Sequence, residues 1–380
     1  MLLEKDFSAI IYDVTNDGFE QVGMLNKVTS VMGSDVYVGC GSFKVWTPID
    51  GESNDLLQKG RFIWFGGDAA GKIESIKKTI DDNGEAKIEA GGRTLECLIE
   101  SRIVWDTFQV DNVEASTAIM KVVKDNCISP KDSKRKIPWL VAGDDIVAGG
   151  KITVQQTGGS VYEAIEDIAS AAGLGFDVKF DPYNKKLVFE VTSGVDRSMS
   201  QAVNDAVIFT TDLEDILSSE YSLSTQDYRN VAVVDGEGEG KDRKRATAGN
   251  LSSTGMNRFE LYVDARDVQS TYTDDAGEEH TLTASQYTNS LAQRGNEKLS
   301  AQVENEALES KVRVDDRVQY KYGKDYFVGD KVTVVDERLL CSIDVQITEA
   351  EGSNEEEYEL VLTFGDQKLT MMNKVRKGIV

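Results

Sequence analysis

Apolar and polar positions alternate in short runs through the first hundred or so residues. Val36, Val38 and Cys40 alternate with Tyr37 and Gly39, and Phe43 and Val45 flank Lys44. Successive side chains of a strand point to opposite faces, so this period of two predicts strands buried on one side only. Arg61-Phe62-Ile63-Trp64-Phe65 lacks the alternation and predicts a strand buried on both faces. Asp17-Gly18 and Asp82-Asn83-Gly84 supply the residues that tolerate positive φ in tight connections. Together these runs predict an all-β unit of barrel or sandwich type over residues 1–105. It closes where Leu95, Leu98 and Ile99, three or four apart, predict a short helix.

The pattern changes over residues 106–200. Val113 to Lys124 reads as a helix, and Pro130 and Pro138 bound a basic loop, Lys131 to Lys136, that reads as a solvated connection. Ser160 and Glu163 form a Ser-x-x-Glu capping box, Val161, Ile165, Ile168 and Ala172 make one helical face, and Gly173 supplies a left-handed stop. Phe176, Val178 and Phe180 then alternate. Asp181-Pro182-Tyr183-Asn184 is turn chemistry, and Leu187, Phe189 and Val191 alternate back. A helix packed on a β-hairpin predicts a small α+β domain.

The last part holds the longest helical pattern. Tyr287, Leu291, Leu299, Val303 and Ala307 fall at multiples of four between Ser285 and Ser310, and Gly295 within them implies close approach by another element. Arg229 to Val234 and Phe259 to Val263 read as strands flanking the loop Gly236 to Gly255. Val318, Tyr320 and Tyr322; Phe327 to Val335; Cys341 to Ile347; and Tyr358 to Phe364 read as further strands. The predicted fold is therefore α+β and β-rich, with two antiparallel β-barrel domains and small α+β domains between them. The second barrel takes 229–284 and 315–380, and a connecting domain with the long helix takes 201–228 and 285–314. The two β units show no residue-level internal repeat, so any likeness between them is architectural.

Length and composition narrow the function. At 380 residues the chain holds two to four domains, and 40% apolar with 28% charged residues is an ordinary globular balance. The 66 acidic against 42 basic residues give a net charge of -24, which repels nucleic acid. No stretch approaches the roughly 20 apolar residues of a membrane span, and the N-terminus lacks the basic start of a secretion signal. Cys40, Cys97, Cys127 and Cys341 are far apart and read as buried free thiols of a reducing compartment. His280 is the only histidine, which removes centres that need two imidazoles and disfavours Ser-His catalysis.

The remaining candidates for chemistry have plainer readings. Asp235-Gly-Glu-Gly-Glu-Gly-Lys241 fails as a phosphate loop because Asp242 follows the lysine and two glutamates sit among the glycines. Lys241, Arg243, Lys244 and Arg245 beside it suit an acidic protein partner better than duplex DNA. The runs Asp274, Asp275, Glu278, Glu279, His280 and Glu349, Glu351, Glu355, Glu356, Glu357 lack calcium-loop spacing and read as solvated turns. Trp46, Trp64, Trp105 and Trp139 are scattered as core or interface anchors are. No catalytic, cofactor-binding or metal-binding residue stands out, and no cofactor is implied.

The order of features in the C-terminal third carries more. Asn257-Arg258-Phe259-Glu260-Leu261-Tyr262-Val263-Asp264-Ala265-Arg266, then Arg294-Gly295-Asn296-Glu297-Lys298-Leu299, then Asp325-Tyr326-Phe327-Val328-Gly329-Asp330-Lys331-Val332-Thr333-Val334, and last Phe364-Gly365-Asp366 resemble the siphophage tail-hub family. That family includes the N-terminal structural region of tail-associated lysins and is similar to the baseplate hub of contractile-tailed phages. Gly92-Arg93-Thr94-Leu95-Glu96-Cys97-Leu98-Ile99-Glu100-Ser101-Arg102-Ile103 fits the end of the family's first barrel. The resemblance implies a non-enzymatic structural protein of the virion, made in the bacterial host cytoplasm. It implies a homotrimeric, pseudo-sixfold ring of six barrels that closes the tail tube, with the α+β domains outside. Implied partners are the distal tail protein or tail tube, the tape-measure protein and tail fibre or spike proteins, with DNA only as passing cargo and no stable membrane insertion. The sequence runs to Val380, soon after Phe364-Gly365-Asp366, so the peptidoglycan-cleaving domain many relatives carry is not expected here. Much of the acidic excess is then expected to face the bore. The alternatives are a cell-wall-degrading carbohydrate-active enzyme, which needs two carboxylates about 5 to 10 Å apart, or a β-rich adhesin.

Overall fold

The computed structural model describes residues 9–365 apart from 68, 81, 83, 212–214, 274–278, 314–317, 340 and 355–357. Asn83, Asp274, Asp275, Glu278, Glu355, Glu356, Glu357 and Asp366 therefore lie outside the described residues. The fold is β-rich α+β with mostly antiparallel sheets. Phe62–Gly66 is buried on both faces, as its unbroken apolar run predicts. Ile63 and Phe65 join one core with Phe43, Val45, Ile73 and Ile88, while Phe62 joins another with Tyr12, Phe19 and Phe180.

Eight strands make a continuous antiparallel wall: β1 (Ser30–Val36), β2 (Ser42–Pro48), β3 (Ala69–Ile80), β4 (Ala86–Thr94), β5 (Ile216–Ser224), β6 (Asn305–Val312), β7 (Cys341–Asn354) and β8 (Tyr358–Gly365). Their spatial order is β5-β6-β8-β7-β1-β2-β4-β3, within a 13-stranded sheet. Beyond β3 the sheet continues through Phe62–Gly66, Ala9–Val14 and Phe19–Leu25, and Lys331–Asp336 with Ile208–Thr210 branches from β7. The two predicted barrels are thus corrected to one open sheet. Among the described residues no hydrogen-bonded ladder closes either unit. Side chains fill the gap in the first unit, where the short helix Gly51–Leu56 brings Leu56 within 2.6 Å of where a Cβ on Gly23 would lie.

The wall contains an internal repeat that is visible in main-chain pairing. Strands β1 to β4 are ordered β1-β2-β4-β3, and β5 to β8 are ordered β5-β6-β8-β7. The third strand of each unit carries a register shift at the matching place, after the fully buried Ile73 in β3 and after the fully buried Ile347 in β7. Such a shift inserts one residue, bends the strand and lets it pair with different neighbours on its two halves. The same clasp holds both. Gly60 N donates to Ile73 O at 2.8 Å, and Gly329 N to Ile347 O at 2.7 Å. Ile73 N donates back to Arg61 O at 2.8 Å, and Ile347 N to Asp330 O at 2.9 Å. Both glycines sit at positive φ, 91° and 96°, where a side chain would be strained. The likeness between the units is therefore architectural, as the sequence implies.

Between the units lie the helical layers. Helices α1 (Ala115–Val123) and α2 (Val161–Ala172) pack with the sheet formed by Leu140–Ala142, Gly175–Asp181 and Lys186–Thr192. Ser160 accepts from Glu163 N, Gly173 ends α2 at φ 65°, and Asn184 N donates to Asp181 in the expected turn. Helix α3 (Ala284–Ser300) is shorter than its pattern predicts, because the chain passes into β6 at Asn305. It lies on a separate three-stranded sheet of Val231–Asp235, Arg245–Gly249 and Glu260–Asp264, the middle one arising within the expected loop. At Gly295 a Cβ would come within 2.8 Å of Ala248 Cβ and Val234 Cγ2, so the missing side chain sets the helix-to-sheet distance.

Glu297 of α3 is buried, and burial pushes its carboxyl up to about 7, against the pull of Arg294 at 3.7 Å. Between the ordinary carboxylate pKa and about 7 the folded chain binds a proton that the unfolded chain releases. Stability therefore falls as pH rises through that window. Glu297→Gln is expected to flatten this fall and to equal or exceed the parent in thermal midpoint at pH 8, since Arg294 keeps Asp267 at 3.1 Å. Midpoints at pH 5 and pH 8 that fall as far in the variant as in the parent would show the group to be ionised throughout.

Candidate assembly surface

Three parts of the chain meet at Tyr37, which follows β1. Its hydroxyl donates to Gly173 O at 3.0 Å and accepts from Gly194 N at 3.1 Å, and its own N donates to Thr348 O at the β7 bulge, 3.0 Å away. Its ring leaves no space for neighbours: a Cβ on Gly175 or on Gly329 would lie 2.4 Å from it. Burial raises the phenol pKa. Beside it, Asp330 accepts from Val195 N at 2.9 Å, Arg197 Nε at 2.8 Å and Phe327 N at 3.1 Å. Glu96, fully buried and raised in pKa by that burial, accepts from Val178 N at 2.9 Å and ties the first unit to the α+β layer. Tyr322 Oη donates to Asp35 at 2.9 Å between the two β units. A rigid joint thus fixes both wall units against the helical layer.

The wall's core-facing positions are mostly apolar, and the opposite face carries charge in two sectors. In the first unit Lys44, Lys72, Lys77, Lys87 and Arg93 stand with Glu74 and Glu89. Arg93 binds Glu74 at 2.9 Å, and Lys44 binds Glu89 at 3.6 Å. In the second unit the same face carries Glu220, Glu349, Glu351 and Glu359, with Lys311 on Glu359. Alternation forces this segregation: Lys87 and Glu89 flank buried Ile88, and Glu349 and Glu351 flank buried Ala350.

The other sequence candidates settle into structural roles. Arg243 donates to Tyr262 Oη and Gly236 O, both at 2.9 Å, and to Asp264 at 2.6 Å. Arg266 and Arg243 hold Asp264 down to about 2. Arg245 grips Asp235 through two bonds of 2.6 and 2.8 Å. Arg243 and Arg245 of the basic cluster are thus engaged within their own sheet. Trp46, Trp64 and Trp139 donate to Glu89, Gly67 O and Thr15 O at 3.2, 3.1 and 2.8 Å, and Arg135 covers Trp105 at 4.9 Å, on separate elements. His280 stacks on Tyr272 at 5.3 Å. Cys40, Cys97 and Cys127 are free thiols, the last pushed up to about 12 by burial. Among the described residues no group of three or more His, Cys, Asp or Glu could hold a metal ion, and no helix is long and apolar enough to cross a membrane. What the sequence reading missed is the joint at Tyr37 and the pairing of β1 with β7. The only signal for the joint was the run Val328-Gly329-Asp330.

Comparison with known proteins follows the same lines. The family model described as Siphovirus ReqiPepy6 Gp37-like protein matches residues 11–366. Among solved structures, the prophage MuSo2 43 kDa tail protein from Shewanella oneidensis is 13% identical, over 94% of this chain and 98% of that one, with a TM-score of 0.55. The prophage tail protein gp18 from Listeria monocytogenes EGD-e is 12% identical over 98% and 99%, with a TM-score of 0.54. The tail protein from Neisseria meningitidis MC58 is 14% identical over 95% and 97%, with a TM-score of 0.53. At these identities the likeness shows a shared fold. No curated protein matches the chain in sequence.

Proposed function

The chain belongs to the Siphovirus ReqiPepy6 Gp37-like family, a family of siphovirus tail proteins, and from that premise we propose that it is the hub of the tail tip. Three copies would form a ring of six wall units around the end of a sixfold tail tube. The observation that carries this reading is the internal repeat: two four-stranded units of one order, joined edge to edge, give a trimer the rotational order of a hexameric partner. The first unit runs to about residue 105 and the α+β region over 106–200. The second unit is built from 201–224 and 305–365, and the α3 module is inserted within it. The partners are the tube or distal tail protein, the tape-measure protein and the fibres or spikes. The role is structural rather than enzymatic.

In this ring the charged face of the wall lines the bore, with basic and acidic sectors alternating around it. The acidic excess expected at the bore is thus confined to the second unit's sectors. DNA meets no continuous track of cations, so phosphates are not neutralised along the path and the duplex slides. Imaging the assembled tail tip at a resolution that traces the chain tests the reading. Three copies around the bore would support it, and a single copy, or a place on the outer sheath of the particle, would defeat it.

A further inference from the structure

Two thiols that are far apart in sequence meet where the first unit ends. Cys40 stands just before β2, and Cys97 lies in the 3₁₀ helix Leu95–Ser101 that follows β4. Bonds through Gly41 hold the two places together: Gly41 N donates to Thr94 Oγ1 at 2.8 Å, and Thr94 N donates to Gly41 O at 3.0 Å. A 3₁₀ helix turns each N–H toward the carbonyl three residues back, which sets Cys97 N on Thr94 O. Cys40 Sγ donates to that same oxygen at 3.6 Å, and the two thiols hydrogen-bond one another. Glu96 completes the cluster. Its Oε2 lies 3.9 Å from Cys40 Sγ, while its Oε1 accepts from Val178 N at 2.9 Å.

We propose that Cys40 and Cys97 are an oxidation site, joined by a disulfide once the chain has left the reducing interior of the cell, with Glu96 as acceptor of the Cys40 proton. A virion component is made inside a cell and acts outside it, so it crosses from one redox compartment to the other. The inference rests on the chain's place in the virion and not on the ring.

The two thiols differ in the way the chemistry requires. Their shared hydrogen bond holds Cys97 below the ordinary thiol range and Cys40 above it, so Cys97 ionises first. With a peroxide as oxidant, the Cys97 thiolate attacks one oxygen and the O–O bond breaks. Cys97 becomes a sulfenic acid, and the second oxygen leaves as hydroxide that takes up the proton Cys97 released. Cys40 sulfur then attacks the sulfenic sulfur. The S–S bond forms, the S–O bond breaks, and the Cys40 proton passes through Glu96 to the departing hydroxide. Two thiols and one peroxide give one disulfide and two waters, with two electrons passing from sulfur to oxygen. Burial raises the Glu96 carboxyl, while hydrogen bonds with Asp177, Thr94 and Val178 N pull it back, so the group can take a proton and return it.

The bridge would close β2, β3 and β4 into one covalent loop. A cross-link over so long a segment restricts the unfolded chain and so favours the folded one. Cys127 offers the contrast within the same chain. It is fully buried, and burial pushes its thiol up to about 12, which leaves it inert while the fold holds.

The test uses the full-length chain, purified under reductant and then exposed to hydrogen peroxide. Digestion without reductant is expected to yield a peptide pair joining Cys40 to Cys97, lighter by two hydrogens, while Cys127 resists alkylation until the chain is denatured. The thermal midpoint is expected to rise with the bridge, to fall back on reduction, and to stay unmoved by peroxide in Cys40→Ser. Glu96→Gln, which keeps an acceptor for Val178 N, is expected to slow bridge formation by about tenfold or more without lowering its final yield. A folded chain that ends with separate sulfinic acids or free thiols overturns the site, as does a bridge that forms only when Cys127 becomes reactive. Equal rates in Glu96→Gln overturn the part given to Glu96. Phage particles digested without reductant are expected to hold the same peptide pair, and particles that carry the chain with both thiols free overturn its oxidation on release. Particles without the chain would instead overturn its place in the virion, and the purified chain still decides the site.

Discussion

Gly194→Ala is expected to cost on the order of 4 kcal/mol, the scale of substitutions that force two main-chain segments apart. A Cβ at Gly194 would lie 1.6 Å from the carbonyl oxygen of Gly329 and 2.3 Å from its carbon. Both are main-chain atoms, and Gly329 is itself held by its bond to Ile347 O, so neither side can yield by turning a side chain. Separation would also break the Gly194 N bond to Tyr37 and take one partner from that buried hydroxyl. The expected result is an early loss of the joint. Hydrogen exchange should speed up together in residues 192–197 and 327–333 at temperatures where α1 and α2 stay protected. A variant whose exchange matches the parent in both segments would show that the two loops can part without cost.

Asp330→Ala carries the second large expected effect, about 3 to 5 kcal/mol, because it removes one partner of a buried ion pair and strands the other. Asp330 is 3% exposed, and its carboxylate serves Arg197 together with two main-chain donors. Alanine leaves Val195 N, Phe327 N and the Arg197 guanidinium without their acceptor. Arg197→Ala alone should cost less, since Arg197 is partly open to water and Asp330 would keep both main-chain bonds. Thermal or denaturant unfolding of the two variants decides this, and equal losses would mean that the main-chain bonds contribute little.

Local features were legible in the sequence and non-local ones were not, for a physical reason. The doubly buried Phe62–Gly66, the Gly173 stop and the turn at Asp181 depend on a few consecutive residues whose period and φ preference are written in the side chains. Helix α3 was overextended to Ser310 because Val303 and Ala307 continue a spacing of four by coincidence, whereas buried Leu308, Ser310 and Val312 keep the strand's period of two. Arg245–Gly249 was hidden because its inward residues, Ala246 and Ala248, are too small to announce a strand among charges. The repeat escaped detection because its matching positions hold unlike residues, Gly92 with Phe364 and Lys78 with Gly352. It lives in main-chain pairing, which any residue but proline can make. The candidate surface was readable only as a resemblance. Gly329-Asp330 belonged to the quoted motif, but its grip on Val195 and Arg197 needed the fold.

The ladder between Val31–Val36 and Glu349–Asn354 joins two segments that lie far apart along the chain. On the ribosome the early segment therefore waits with an open flank until the late one has been made. During that wait it is exposed to the equivalent late segment of a finished neighbour, which would exchange units between molecules instead of completing one. A product that carries only the early segment keeps that flank open and competes for the late segment of an intact neighbour.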